Sequence, residues 1–162
     1  MGDDRQLDPR VIPLQRTVGA IVSACIAAVS AVPAVAGVAD SDRPLLAFVL
    51  VGLLWLAGNA VLFWHWQRWP AIAYRHTWYR VDELGLEIRR GVYWRRVINV
   101  PRTRVQHTDV AQGPLERRYG LGTLVVYTAG TDHAKVTLEG LDHGVALAIR
   151  EQLMPERGSD AV

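Results

Sequence analysis

The sequence predicts an α+β membrane protein: two N-terminal transmembrane helices, then an antiparallel β-sheet or partial barrel capped by a C-terminal α-helix. Three observations predict it. Two long apolar runs, residues 17–39 and 44–67, fill the first part of the chain. From Thr77 onward the apolar residues recur at period two. Near the end, Val145, Ala146, Ile149 and Leu153 recur at three and four.

The apolar runs come first. They hold 23 and 24 residues without Asp, Glu, Lys or Arg, and His65 is the one titratable group of the second. At about 1.5 Å per helical residue each reaches roughly 35 Å, enough for a hydrocarbon core of about 30 Å. The lack of charge at depth argues against a transporter or proton relay. Ala34-Val35-Ala36 resembles a signal-peptide cleavage site, but the run exceeds a usual h-region, so retention is expected and cleavage is the alternative. Either outcome leaves the following domain on the same side.

Arginine placement sets the orientation. Arg5, Arg10 and Arg16 precede the first run, Arg68, Arg75 and Arg80 follow the second, and the connecting loop has Arg43 beside Asp40 and Asp42. The positive-inside rule then expects a plasma-membrane protein with both termini cytoplasmic. The expected segments are a cytoplasmic tail (1–16), transmembrane helices (17–39 and 44–67), an external loop (40–43), a cytoplasmic domain (77–155) and a C-terminal tail (156–162). Trp64, Trp66, Trp69 and Tyr74 gather at the inner end of the second run as membrane-interface anchors. Gly19, Ser23, Ala27 and Ser30 form a small-residue stripe, and Gly52 and Gly58 lie in the second run; close helix approach, within the hairpin or between copies, is one reading. Pro33 is expected to bend the first helix. Asn59 either bonds a helix partner or sits idle.

The remaining residues suffice for one small domain. Tyr79 and Val81, then Leu84, Leu86 and Ile88, then Ala134, Val136 and Leu138 alternate with polar neighbours. Residues 92–100, 104–110 and 122–128 are rich in β-branched and aromatic side chains. Turns are expected at 82–85, Gly91, Pro101, Gln112-Gly113-Pro114 and Gly130-Thr131-Asp132. About six strands thus follow one another. The last helix is expected to start at Asp142 as N-cap, with Leu141 stapled onto Ala146, and to stop at Pro155.

Strands followed by a capping helix resemble a pleckstrin-homology-like (PH-like) domain, and the whole chain resembles the bacterial YdbS-like membrane proteins. The resemblance runs through Tyr79-Arg80-Val81, Gly85-Leu86-Glu87-Ile88-Arg89-Arg90-Gly91 and Val100-Pro101-Arg102-Thr103-Arg104-Val105-Gln106. It continues through Gln112-Gly113-Pro114-Leu115-Glu116-Arg117-Arg118-Tyr119-Gly120-Leu121-Gly122-Thr123-Leu124 and Tyr127-Thr128-Ala129-Gly130. It implies a fold and a location, and brings no catalytic residues.

Charge concentrates in the domain: residues 89–118 hold eight arginines against Asp109 and Glu116, while the chain as a whole is +2. Arg95 and Arg96 are expected on opposite faces of a strand, and Arg102 and Arg104 on one face within reach of one phosphate. Arg117 and Arg118 belong to a short helical turn begun by Pro114, as a structural anchor or as an anion or partner contact. These six arginines are the candidate lipid or partner contacts. His107 and Asp109 share a strand face, as a polar pair rather than an acid–base or metal site. The lone Cys25 excludes an intrachain disulfide. No nucleophile elbow, Walker loop or zinc-protease helix occurs. The expectation is a non-enzymatic, cofactor-free binding or scaffold module, with a protein partner or a second copy, accessory anionic lipid and no nucleic acid. The alternative is a structural subunit that acts through its transmembrane hairpin.

Overall fold

The computed structural model describes residues 3–39, 44–129 and 135–154. They form two compact units: Gln15–Pro70, and Met1–Leu14 joined with Ala71–Val162.

The first unit holds the greater part of two apolar helices, α1 (Val11–Ala39) and α2 (Pro44–Arg75), whose outermost turns at Val11 and Arg75 belong to the second unit. Their 29 and 32 residues correspond to about 43 and 48 Å. Leu45, Leu54, Val29 and Val61 expose most of their surface, as apolar side chains do when their solvent is lipid. The small-residue stripe lies on the contact between the helices. Gly19 is buried, and a Cβ there would sit 2.8 Å from Trp66 Cβ. The Trp55 indole donates to Ser30 Oγ (2.9 Å), and Arg16 Nε donates to the Gln67 carbonyl (3.0 Å). Gly52 and Gly58 face open space and take no part. Asn59 donates to the Trp55 carbonyl one turn back in its own helix, so its amide is satisfied locally. Both Pro33 and Pro70 lie within helices. The helix runs past the expected end of the second span at residue 67 as far as Arg75: Pro70 costs a single backbone bond and does not stop it.

The second unit is built of antiparallel strands. Strands β1 (Arg5–Gln6), β2 (Trp78–Asp82), β3 (Gly85–Arg90) and β4 (Arg96–Pro101) form one sheet in sequence order. Strands β5 (Val105–Ala111), β6 (Leu121–Thr128) and β7 (Lys135–Asp142) form the other. A short helix α3 (Pro114–Tyr119) joins β5 to β6, and α4 (His143–Leu153) follows β7. The period-two residues point inward as expected: Leu86, Ile88, Val136 and Leu138 are buried with Tyr79, Val100, Leu124 and Val126. Helix α4 adds Ala146, Ile149 and Leu153 to that core. Asp142 caps it, accepting from the Gly144 and Val145 amides at 2.9 and 3.3 Å. Leu141 and Ala146 are both buried in the same cluster.

Some expectations are corrected. The N-terminal tail contributes strand β1, which places Arg5 opposite Tyr79 and Gln6 opposite Trp78. The Asp8 amide donates to the Gly140 carbonyl (2.9 Å), and Val11 is buried. Leu84 is 81% exposed because it lies in a turn, where Asp82 Oδ1 accepts from the Leu84 and Gly85 amides. The strand expected from residue 92 begins at Arg96, since 91–95 are the loop of the β3–β4 hairpin. A bulge between Val105 and His107 resets the alternation, so Val105 and Thr108 both point inward. The external loop 40–43, the Gly130-Thr131-Asp132 turn, Ala134, Pro155 and the 156–162 tail lie outside the described residues.

Candidate functional site

The six candidate arginines separate into three places. Arg95 lies in the β3–β4 loop and Arg96 opens β4; both are exposed. Arg96 is the register partner of Arg90 across the hairpin. Together with Arg75, His76, Trp78, Arg89 and Val97 they line a cavity of about 400 Å³. At its base the chain leaves α2: the Trp78 indole donates to the Arg75 carbonyl (3.3 Å), and His76 Nδ1 lies 2.8 Å from the Ile72 carbonyl. Arg89 is held by Glu87 and by Asp4 (3.3 Å). Among the described residues no carboxylate pairs with Arg75, Arg90, Arg95 or Arg96. The hairpin tip carries Tyr93 and Trp94, 81% and 87% exposed. Gly91 shapes this loop with φ +126°, and a Cβ there would collide with the Trp94 carbonyl.

Arg102 and Arg104 do not share a strand face. Arg102–Arg104 is a single 3₁₀ turn, in which residues two apart point in different directions. Arg102 Nη2 donates to the Met154 carbonyl (3.2 Å) just past the end of α4, a structural contact. Arg104 is exposed and lines a second cavity of about 210 Å³ with residues 97–101, Thr128, Ala129 and Val136. That cavity opens beside the outer edge of β4, which pairs with β3 and with no other described strand.

Arg117 and Arg118 lie exposed on α3. The anchor of this turn is Glu116, whose carboxylate accepts from the Gly113 amide and from Thr123 Oγ1, both at 2.7 Å. His107 and Asp109 do pair, Nε2 to Oδ1 at 2.8 Å, with Tyr127 beside the imidazole ring. On α2, Trp64 is exposed with the Arg68 guanidinium 5.3 Å above its ring, Trp66 packs at Gly19, and His65 stacks on Trp69 (5.5 Å). Tyr74 is half-buried. No group of three or more His, Cys, Asp or Glu side chains converges among the described residues.

Arg10, which the sequence offers only as a positive flank, ties the N-terminal arm to the start of α4. Its guanidinium bonds Asp8 (2.8 Å) and the cap residue Asp142 (2.6 Å). These bonds hold both carboxyls below their ordinary range, helped at Asp142 by the Val145 amide. They raise Arg10 in turn.

The family described as "Bacterial PH domain" matches residues 17–157, a stretch that takes in most of both apolar helices, β2 to β7 and the capping helix. The chain belongs to this family. A curated relative, the UPF0699 transmembrane protein YdbS of Bacillus subtilis (strain 168), is 34% identical over 90 residues, covering 56% of this chain and 55% of the relative. The chain thus aligns with about half the length of that protein. No solved structure matches. This is a membrane protein bearing a bacterial PH-like unit. In that unit the residue pattern does not reveal the arginine-lined cavity as a site, although Arg89-Arg90-Gly91-Val92-Tyr93-Trp94-Arg95-Arg96 carries a signal of it. A hairpin turning at its centre must set the flanking arginines against each other.

Proposed function

We propose that this chain is a membrane-anchored binding and scaffold module, not an enzyme, which holds its PH-like unit at the cytoplasmic membrane surface for a protein partner, with accessory contacts to anionic lipid. The observation that carries the reading is the outer edge of β4 beside the second cavity, which no other described strand pairs. The backbone donors and acceptors of that edge, next to Val97, Val100, Ala129 and Val136, suit an extended segment adding as a further strand. Arg104 at the same cavity favours an acidic residue in that segment. The pairing of β1 with β2 supports a single-sided topology, because it joins the flank before the first span to the flank after the second. The arginine bias names that side as the cytoplasm.

A photo-crosslinking residue at Asn99 on the β4 edge, compared with one at exposed Glu83, tests this in native membranes. A discrete adduct from position 99, absent from position 83, is expected. Equal yields from both positions, or adducts formed only from within the apolar helices, would refute the edge reading. The second of these results would favour a subunit that assembles through its spans.

A further inference from the structure

We propose that the cavity between the end of α2 and the β3–β4 hairpin is a binding site for the phosphate of an anionic phospholipid headgroup. The inference rests on the membrane-anchored reading above and assigns its lipid contact to defined residues.

Three features of the cavity point to an anion. Arg75, Arg90, Arg95 and Arg96 converge on it from the end of a helix and both arms of a hairpin. Arg90 and Arg96 are direct cross-strand partners, and like charges in that register destabilise a hairpin unless an anion lies between them. Neighbouring Arg89 already has Glu87 and Asp4, whereas among the described residues no carboxylate pairs with its companions. His76 and Trp78 form the rim, where the Trp78 indole donates to the Arg75 carbonyl and so fixes the backbone that carries that arginine.

Two features favour a lipid over a free phosphate. Tyr93 and Trp94 project at the tip of the same hairpin, almost wholly exposed, with Val97 64% exposed beside them. Amphipathic rings in that state suit the headgroup layer better than water. Along α2, Arg75 stands six residues beyond Trp69, about 9 Å at the helical rise. The headgroup region adds about 5–8 Å to each side of the hydrocarbon core. A side chain as long as arginine at that position reaches headgroup phosphates.

The test uses the full chain purified in mild detergent, titrated with phosphatidylglycerol, with phosphatidylcholine and with inorganic phosphate, and read by native mass spectrometry. Phosphatidylglycerol should be retained in preference to phosphatidylcholine and should resist competition by millimolar phosphate. R90Q/R96Q should weaken retention about 30-fold, at roughly tenfold for each 1.4 kcal/mol and about 1 kcal/mol per basic residue. R117Q/R118Q, an equal charge change on α3, should leave it unchanged. R90Q/R96Q should melt no lower than the parent, because it removes a like-charge pair. Equal loss in both double variants would reduce the effect to diffuse charge and overturn the site. Full competition by inorganic phosphate would overturn the lipid assignment. Retention by R90Q/R96Q equal to the parent would overturn this cavity while sparing lipid contact elsewhere, and no retention by the parent would remove both. None of these outcomes bears on crosslinking from Asn99, so this inference and the partner reading fail separately.

Discussion

Gly140→Ala probes how the N-terminal arm is seated on the last strand. Gly140 has φ +77°, a left-handed conformation that costs an L-residue about 1–2 kcal/mol. A Cβ at this position would lie 2.6 Å from Val11 Cγ2 and 3.0 Å from Val11 Cβ. Val11 is 4% exposed, so it yields only by withdrawing the arm, and full exposure of a valine forfeits about 1.5–3 kcal/mol. The two effects together give roughly 2.5–5 kcal/mol. For a unit of this size each kcal/mol lowers Tm by about 4–8 °C, so a drop of at least about 10 °C is expected. Thermal unfolding of the full chain in detergent, followed by near-ultraviolet circular dichroism, measures it. Val11→Ala removes the colliding atom, so G140A/V11A should be destabilised less than the sum of the single variants, by about 1 kcal/mol or more. A strictly additive cycle, or a G140A protein that melts like the parent, would refute the seating of the arm and with it the reason for counting residues 5–11 as part of the β unit.

Acid should loosen the same arm. The carboxyls of Asp8 and Asp142 titrate below their ordinary value of 3.8 in the folded state, chiefly through their bonds to Arg10. A lowered folded pKa means that the unfolded chain binds protons first, so the stabilisation is complete above about pH 4 and is lost as pH falls through the folded values. Arg10→Gln should flatten that acid limb in a series of melting curves; an unchanged limb would remove Arg10 as its cause. In the helical unit, Gly19→Val should separate the helices, because the added Cβ meets the β-carbon of Trp66, which cannot rotate away. Gly52→Val and Gly58→Val, with nothing within 4 Å, should be tolerated. Detergent melts that rank the three variants equally would contradict the helix contact.

Much of the architecture could be read directly from residue order because its determinants are local. Lengths of uncharged chain that match a bilayer define the spans, and alternation at two defines β3 and β7. Spacing at three and four, with Asp142 before it, defines α4. Proximity of Pro114 to Gly113 and Gly120 was enough to place α3. The errors arose where composition and geometry disagree. Val92, Tyr93 and Trp94 have strand-forming side chains, yet Gly91 turns the backbone so that they become a loop. Arg102 and Arg104 have the spacing of a strand face but occupy a 3₁₀ turn.

Sequence by itself determined that this protein is held in a membrane, that a β-rich unit follows two spans, and which side chains of β3, β7 and α4 are buried, since hydrophobic periodicity is written in neighbours. Tertiary structure alone decided that residues 5–6 complete a sheet some seventy positions away, that Glu116 rather than an arginine holds its turn, and that Arg75 meets Arg90, Arg95 and Arg96 around one cavity. Those are contacts between distant segments, and their register depends on the packing of the whole unit, which no local pattern encodes.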